Sequence, residues 1–298
     1  MSHIARLVIE VADHAGVCYG VQRALDMTYE AARSAREPVR TLGPLIHNPR
    51  VVSELADAGV GVVGKVDDAG EGTVVIRAHG VVPQAIDDAG ARGLQVVDAT
   101  CPYVKKVHLS AERLSRQGCQ VIVVGEEGHP EVEGILGHAG DSARVVSSVE
   151  DVEGLKLAPN VGIVVQTTQT ALKLSQIVAA IAPRVREMHV VNTICKATQE
   201  RQESAALLAR RADCMLIIGG KNSGNTRRLF EICSSLCADT HHIEDAAEID
   251  DGWIPEAGLI GMTAGASTPA SHIMQAVDAI QELRPGAELV WRRGGRDA

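Results

Sequence analysis

The feature that most constrains the fold is a recurring apolar run of four to six residues, rich in Val and Ile, that ends in Gly, His, Thr or Ser before a helical pattern resumes. The runs are LVIEVA at 7–12, TVVIRA at 73–78, QVVDA at 95–99, QVIVVG at 120–125, GIVVQ at 162–166, HVVN at 189–192, MLIIGG at 215–220 and LIGMTA at 259–264. Most are apolar continuously rather than alternately. Strands of that kind are buried on both faces, which requires mostly parallel sheets covered by helices. Segments 102–118, 170–182 and 197–212 carry the helical spacing to supply the cover, so the predicted class is α/β. Pro, Asp and Gly punctuate 64–72, 139–160 and 245–257, which read as loops or edges, and no close internal repeat is visible.

A chain of 298 residues is long enough for two domains or three small ones. Aromatic residues make up only 2%, so aliphatic side chains must fill the cores and stacking platforms for single-stranded nucleic acid are disfavoured. A net charge of -9 opposes polyanion binding as well, and leaves any anion site to local donors. No apolar run reaches the ~18 residues needed to cross a bilayer. The N-terminal stretch lacks a long apolar segment with a small-residue cleavage site, so a cytoplasmic location is expected. The 7 cysteines, odd in number and dispersed, read as thiols of a reducing compartment or as metal ligands.

Ligands of parallel α/β folds bind beyond the carboxyl ends of the strands, where helix N-termini hold anions. The unusual residues of this chain fall there. His79 and Gly80 follow TVVIRA, Cys101 follows QVVDA, and Glu126 to Glu131 follow QVIVVG. Thr167 and Thr168 follow GIVVQ, Lys221 to Asn225 follow MLIIGG, and Gly265 to Pro269 follow LIGMTA. Cys18, Cys101 and Cys195 share one kind of position, each between a strand and a helical stretch and about one small α/β unit apart. Helix N-termini favour thiolate, and three converging thiolates suit an iron–sulfur cluster with one open iron, or zinc; ordinary buried thiols are the competing reading, since no compact Cys-x-x-Cys pair is present. Cys119 and Cys214 at strand entrances, and Cys233 with Cys237 on an apolar helix, are read as core.

His47, His79 and His129 lie in loops bearing Gly or Pro, where imidazoles bind phosphate, move protons or make structural hydrogen bonds. His3, His138, His241, His242 and His272 lack that context. Glu131 is a candidate general acid or a helix-cap carboxylate. Ser223, Asn225 and Ser267 fit neutral donors to an anionic oxygen, or simple N-caps.

Taken together, HAGVCYGVQRAL (14–25), LIHN (45–48), AHGV (78–81), DATCPYVKKVH (98–108), GHPEVEG (128–134), QTT (166–168), ICKATQERQ (194–202), GGKNSGNTRRL (219–229) and TAGAST (263–268) resemble the 4-hydroxy-3-methylbut-2-enyl diphosphate reductases, iron–sulfur enzymes of the methylerythritol phosphate route to isoprenoids. The resemblance spans nearly the whole chain. Val17 and Tyr19 stand where that family has Phe and Ala, Gly224 replaces the second Ser of Lys-Asn-Ser-Ser-Asn, and Asn192 and Thr193 stand where acidic residues are common.

The resemblance implies three α/β lobes around a central cluster-containing cavity: 14–100, 101–193, and 194–285 joined by the N-terminal strand 1–13, with 286–298 as a tail. It implies a [4Fe–4S] cluster on Cys18, Cys101 and Cys195 with one open iron, and two-electron reductive dehydroxylation to isopentenyl and dimethylallyl diphosphate. Glu131, Thr167 and His129 correspond to the proton relay. His47, His79, His129, Thr167, Ser223, Gly224, Asn225 and Ser267 correspond to the substrate pocket. A ferredoxin- or flavodoxin-type electron donor is implied, with no nucleic-acid or membrane partner. Alternatives are an iron–sulfur sensor or carrier without substrate, a paralogue acting on another allylic diphosphate, and a zinc-binding structural protein.

Overall fold

A computed structural model describes residues 6–35 and 37–291, so His3 and the ends of the expected 1–13 and 286–298 segments lie outside the described residues. The described strands form three sheets, and every pairing among them is parallel. After β1 (Leu7–Val11), the first lobe runs α1 (Tyr19–Ser34), β2 (Val39–Leu42), α2 (Pro49–Asp57), β3 (Val60–Val63), β4 (Thr73–Ile76), α3 (Pro83–Ala91) and β5 (Gln95–Asp98). The second runs α4 (Pro102–Arg116), β6 (Gln120–Val124), α5 (Pro130–Ala139), β7 (Arg144–Val146), α6 (Val149–Glu153), β8 (Asn160–Val165), α7 (Ala171–Ile181) and β9 (Glu187–Val190). The third runs α8 (Lys196–Ala209), β10 (Cys214–Ile218), α9 (Gly224–Ser234), β11 (Thr240–Ile243), β12 (Gly258–Ala264), α10 (Ala270–Leu283) and β13 (Glu288–Trp291).

The strand orders are β3-β2-β4-β5, β7-β6-β8-β9 and β11-β10-β12-β1-β13. The three sheets therefore repeat one topology: the first strand is central, the second lies outside it, and the third and fourth follow on the other side. In the third sheet β1, from the start of the chain, occupies the fourth place. The repeat is topological and leaves no close repeat in the sequence.

Two-faced burial explains the apolar runs. On β6 and β8, Val121, Val123 and Val164 pack with Val107, Leu114 and Ile135 of α4 and α5, while Ile122, Val124, Ile163 and Val165 pack with Ile177 and Ile181 of α7. On β10, Leu216 and Ile218 join Ile273, Val277 and Ile280 of α10, whereas Met215 and Ile217 join Leu208 and Leu229 of α8 and α9. Each fully buried side chain of this size contributes roughly 1.5–3 kcal/mol. The strands β2, β3, β7, β11 and β13 go beyond the sequence expectation; all but β2 lie at sheet edges, where short or polar runs suffice. Residues 286–298, expected as a tail, include β13, which pairs with β1. Helix α9 ends at Ser234, so Cys237 lies past the helix on which it was expected.

By contact clustering the chain forms two compact units. One comprises Met1–Cys18, His47–Pro49 and Lys196–Ala298, and the other Tyr19–Ile46 and Arg50–Cys195. No helix of the described residues is long and apolar enough to cross a membrane.

Candidate functional site

The order of the strands explains where the polar residues fall. In each sheet the chain reverses direction of winding between its first and third strands, leaving a crevice at their carboxyl ends. His47 follows β2 and His79 follows β4; His129 and Glu131 follow β6 and Thr167 follows β8; Ser223 to Asn225 follow β10 and Ser267 follows β12. The cysteines obey a second rule. Cys101 follows β5, Cys195 follows β9 and Cys18 follows β1, each being the strand in the fourth place of its sheet.

In the larger unit, Glu131 is 2% exposed at the start of α5. Its Oε1 accepts the Thr167 backbone N–H at 2.6 Å, and the Thr167 hydroxyl donates to Oε2 at 2.8 Å. Burial pushes the Glu131 carboxyl up to about 7 against the opposing pull of these two hydrogen bonds. When the group is protonated the proton sits on Oε2 and is donated to the Thr167 hydroxyl oxygen, because a backbone donor occupies Oε1. His129 caps α5, its Nδ1 accepting the Glu131 N–H at 3.1 Å, and its ring meets that of His79 edge-on at 5.7 Å. The carbonyl of Thr167 accepts the Cys195 N–H at 3.0 Å, so one residue ties the carboxyl group to a candidate ligand loop.

Cys101 stands at the N-cap of α4 ahead of Pro102, with its N–H donated to Ala78 at 3.0 Å. Gly20 makes room for its sulfur: a Cβ there would come within 2.4 Å of Cys101 Sγ. Cys18, Cys101 and Cys195 are all partly exposed, whereas Cys119, Cys214, Cys233 and Cys237 are buried. Each of the three is a partly exposed thiol at a helix start, and Cys101 lies beside a cradle that only glycine leaves open, which is the chemistry of a donor to an iron–sulfur group.

The smaller unit carries the neutral donors. Ser223 caps α9, its Oγ accepting the Thr226 N–H at 3.3 Å. Asn225, 4% exposed at the N-terminus of α9, has neither amide atom paired within the described residues. Ser267 Oγ donates to the His47 carbonyl at 3.1 Å and Asn48 Nδ2 donates to the Ser267 carbonyl at 2.8 Å, joining the His47 loop to this unit. Gly220 is obligatory beside them, since a Cβ would sit 2.7 Å from the His47 carbonyl oxygen. Lys221 is turned to Glu248, 2.6 Å away, and its charge is spent there. The Cys18 N–H donates to Ala266 at 3.2 Å, and Arg201, 3% exposed, binds the Gly16 carbonyl at 2.7 Å.

Sequence reasoning missed His108, Asn48 and Arg201 as supports. His108 stacks on His138 at 4.2 Å beneath Gly80 and Gly134, and its only sequence signal is its place in the DATCPYVKKVH run.

Fold and side chains together define an α/β protein of three parallel-sheet lobes with thiols, imidazoles and one buried carboxyl group after the carboxyl ends of its strands. Residues 9–281 match the family described as LytB protein. The 4-hydroxy-3-methylbut-2-enyl diphosphate reductase of Geobacter sulfurreducens is 47% identical over 275 residues, 92% of this chain and 97% of that one. Its counterpart in Aquifex aeolicus is 45% identical over 282 residues, 93% and 97% of the two chains. A solved structure of (E)-4-hydroxy-3-methyl-but-2-enyl diphosphate reductase, the terminal enzyme of the non-mevalonate pathway, is 46% identical, with a TM-score of 0.69 over 93% of this chain and 99% of that one. The Plasmodium falciparum reductase, 24% identical with a TM-score of 0.91 over 98% and 94% of the chains, shares the fold. This chain belongs to the LytB family.

Proposed function

We infer that this chain is a 4-hydroxy-3-methylbut-2-enyl diphosphate reductase, converting its substrate to isopentenyl and dimethylallyl diphosphate. The observation that carries the reading is the near-full-length match, at 45–47% identity, to reductases of that name. Two electrons and two protons enter; the allylic C–O bond breaks, the hydroxyl oxygen leaves as water, and one proton ends on an allylic carbon. A [4Fe–4S] cluster, with Cys18, Cys101 and Cys195 as its ligands, supplies the electrons singly and a Lewis-acidic iron for the hydroxyl oxygen when bound.

The chain's own groups handle protons and charge. Glu131, raised to about 7 and so shared between its protonated and ionised forms near neutral pH, delivers a proton from Oε2, with the Thr167 hydroxyl as its neighbour in the relay and His129 fixing the turn that presents it. His47, His79, Ser223, Gly224, Asn225 and Ser267 bind the diphosphate and the substrate chain. The Gly224 substitution leaves a backbone N–H at the start of α9 where related chains have a hydroxyl. Imidazoles, hydroxyls and helix N-termini suffice to hold a diphosphate on a protein of net charge -9. A ferredoxin- or flavodoxin-type protein supplies the electrons, and the dispersed thiols suit a cytoplasmic setting.

The test is anaerobic purification with iron and sulfide analysis, followed by turnover of the five-carbon substrate with a reduced low-potential donor. Glu131→Gln is expected to keep its iron and lose turnover by about 100-fold or more. A variant that keeps full turnover removes Glu131 from the proposal. A clustered protein inert toward this substrate but active on another allylic diphosphate makes it a paralogue.

A further inference from the structure

The third sheet carries a second group of ligating side chains, at the end opposite its polar loops. Cys214 opens β10, Asp239 immediately precedes β11, and His241 lies on β11. Met215 is in register with Thr240, which sets Cys214 level with Asp239, and residues two apart on a strand share a face. The thiol sulfur, a carboxylate oxygen and an imidazole nitrogen of these residues all lie within 4.8 Å of one another. They share no residue with the cysteines assigned to the cluster.

Each ligand is oriented. Asp239 Oδ1 faces His241 Nε2 at 2.6 Å, and Trp253 stacks on the imidazole at 4.0 Å with the planes 6° apart. Cys237 lies beside the group, its Sγ donating to the Asp239 carbonyl at 3.4 Å. Burial, then the neighbouring Asp239, Cys237 and Asp213, push the Cys214 thiol up to about 12. The carboxylates of Asp239 and Asp213 beside this thiol favour a divalent cation there.

We propose that Cys214, Asp239 and His241 form a zinc site, with solvent in the fourth position. One thiolate, one imidazole and one carboxylate match a borderline-soft ion better than calcium or magnesium, which take oxygen ligands. Metal–ligand lengths of about 2.0–2.3 Å place tetrahedral neighbours roughly 3.5 Å apart, so the three side chains need only small shifts to close on the ion. On binding, the Cys214 proton leaves to solvent, a Zn–S bond replaces S–H, and His241 binds through Nε2 with its proton on Nδ1. The half-exposed side chain of Asp239, beside the 22% exposed side chain of His241, leaves an entry path from solvent. A bound ion ties the starts of β10 and β11.

The test uses the full chain purified anaerobically with its cluster, equilibrated with zinc and then with a competing chelator. Zinc and iron are counted by mass spectrometry, and the zinc environment is read by X-ray absorption. The expected result is about one zinc per chain in a shell of one sulfur and lighter atoms, with iron unchanged. His241→Gln and Asp239→Asn are expected to lower zinc affinity at least tenfold and to abolish the zinc-dependent rise in Tm while leaving turnover intact. Both replace partly exposed side chains, so the test does not depend on truncating the buried thiol. Equal zinc retention by these variants, zinc gained only at the expense of iron, or a shell of three sulfurs would overturn the proposal.

Discussion

At the residue scale, Glu131 has the clearest pH signature. Its carboxyl is raised to about 7 in the folded chain from an ordinary value of 4.5, so the native state holds a proton that the unfolded chain has lost. The associated stability is present below pH 4.5 and disappears as pH rises to about 7 and above, a change of about 3 kcal/mol in full. Denaturant unfolding at pH 5 and pH 8 is expected to show this loss in the parent chain, and Glu131→Gln to lack it. Asn225 yields a different prediction. Its amide is buried and unpaired within the described residues, and removing a hydrogen bond to a charged ligand costs about 1.5–3 kcal/mol. Asn225→Ala is therefore expected to raise KM roughly 10- to 100-fold with a smaller change in kcat, readable in steady-state kinetics. Both residues stood out in the sequence by position alone. The raised carboxyl of Glu131 did not, because it comes from burial among residues distant along the chain, against which the Thr167 hydrogen bonds pull only in part.

At the scale of elements, the turn after β4 shows how a loop is held in place. Gly80 has φ of +73°, and a Cβ there would meet the His108 ring at 2.6 Å. Burial and the neighbouring His138 pull His108 down to about 3, so the stacked pair is neutral and serves as packing. Gly80→Ala must pay for a left-handed backbone and displace this ring. A loss of at least about 1–2 kcal/mol in thermal unfolding is expected, with reduced kcat/KM through the neighbouring His79. Restored turnover by a Gly80→Asn chain, which tolerates that backbone better, would show the turn conformation to be the cause. The central strands β4, β6, β8, β10 and β12 were legible because both faces are buried and nearly every residue is apolar, whereas central β2, VRTL, carries Arg40 and Thr41 and has no continuous apolar run. The edge strands β3, β7, β11 and β13 were not, because one side of an edge is solvent and pairing there needs no apolar run. THHI of β11 is an example: its half-buried Thr240, His241 and His242 carry no strand pattern.

For the molecule as a whole, the first and last described strands meet in the third sheet, where β1 sits between β12 and β13. Leu289 and Trp291 of β13 pack against the cluster that contains Ile9 and Val11. A chain ending at Ala287, compared with one ending at Trp291, leaves β1 as an open edge and is expected to melt lower and to aggregate on heating. Equal Tm values for the two would show β13 to be dispensable. The amino-acid sequence by itself determined the class of fold, its parallel strands, and the positions after each strand where polar residues gather. These follow from local rules: burial on two faces writes an apolar run, and a strand-to-helix turn writes Gly, Ser, Thr or His. Only the tertiary structure decided that three sheets share one strand order and that Thr167 clamps Glu131. It alone placed Cys214 beside Asp239 and His241, because those relations join residues distant along the chain and arise from strand pairing rather than from any local pattern.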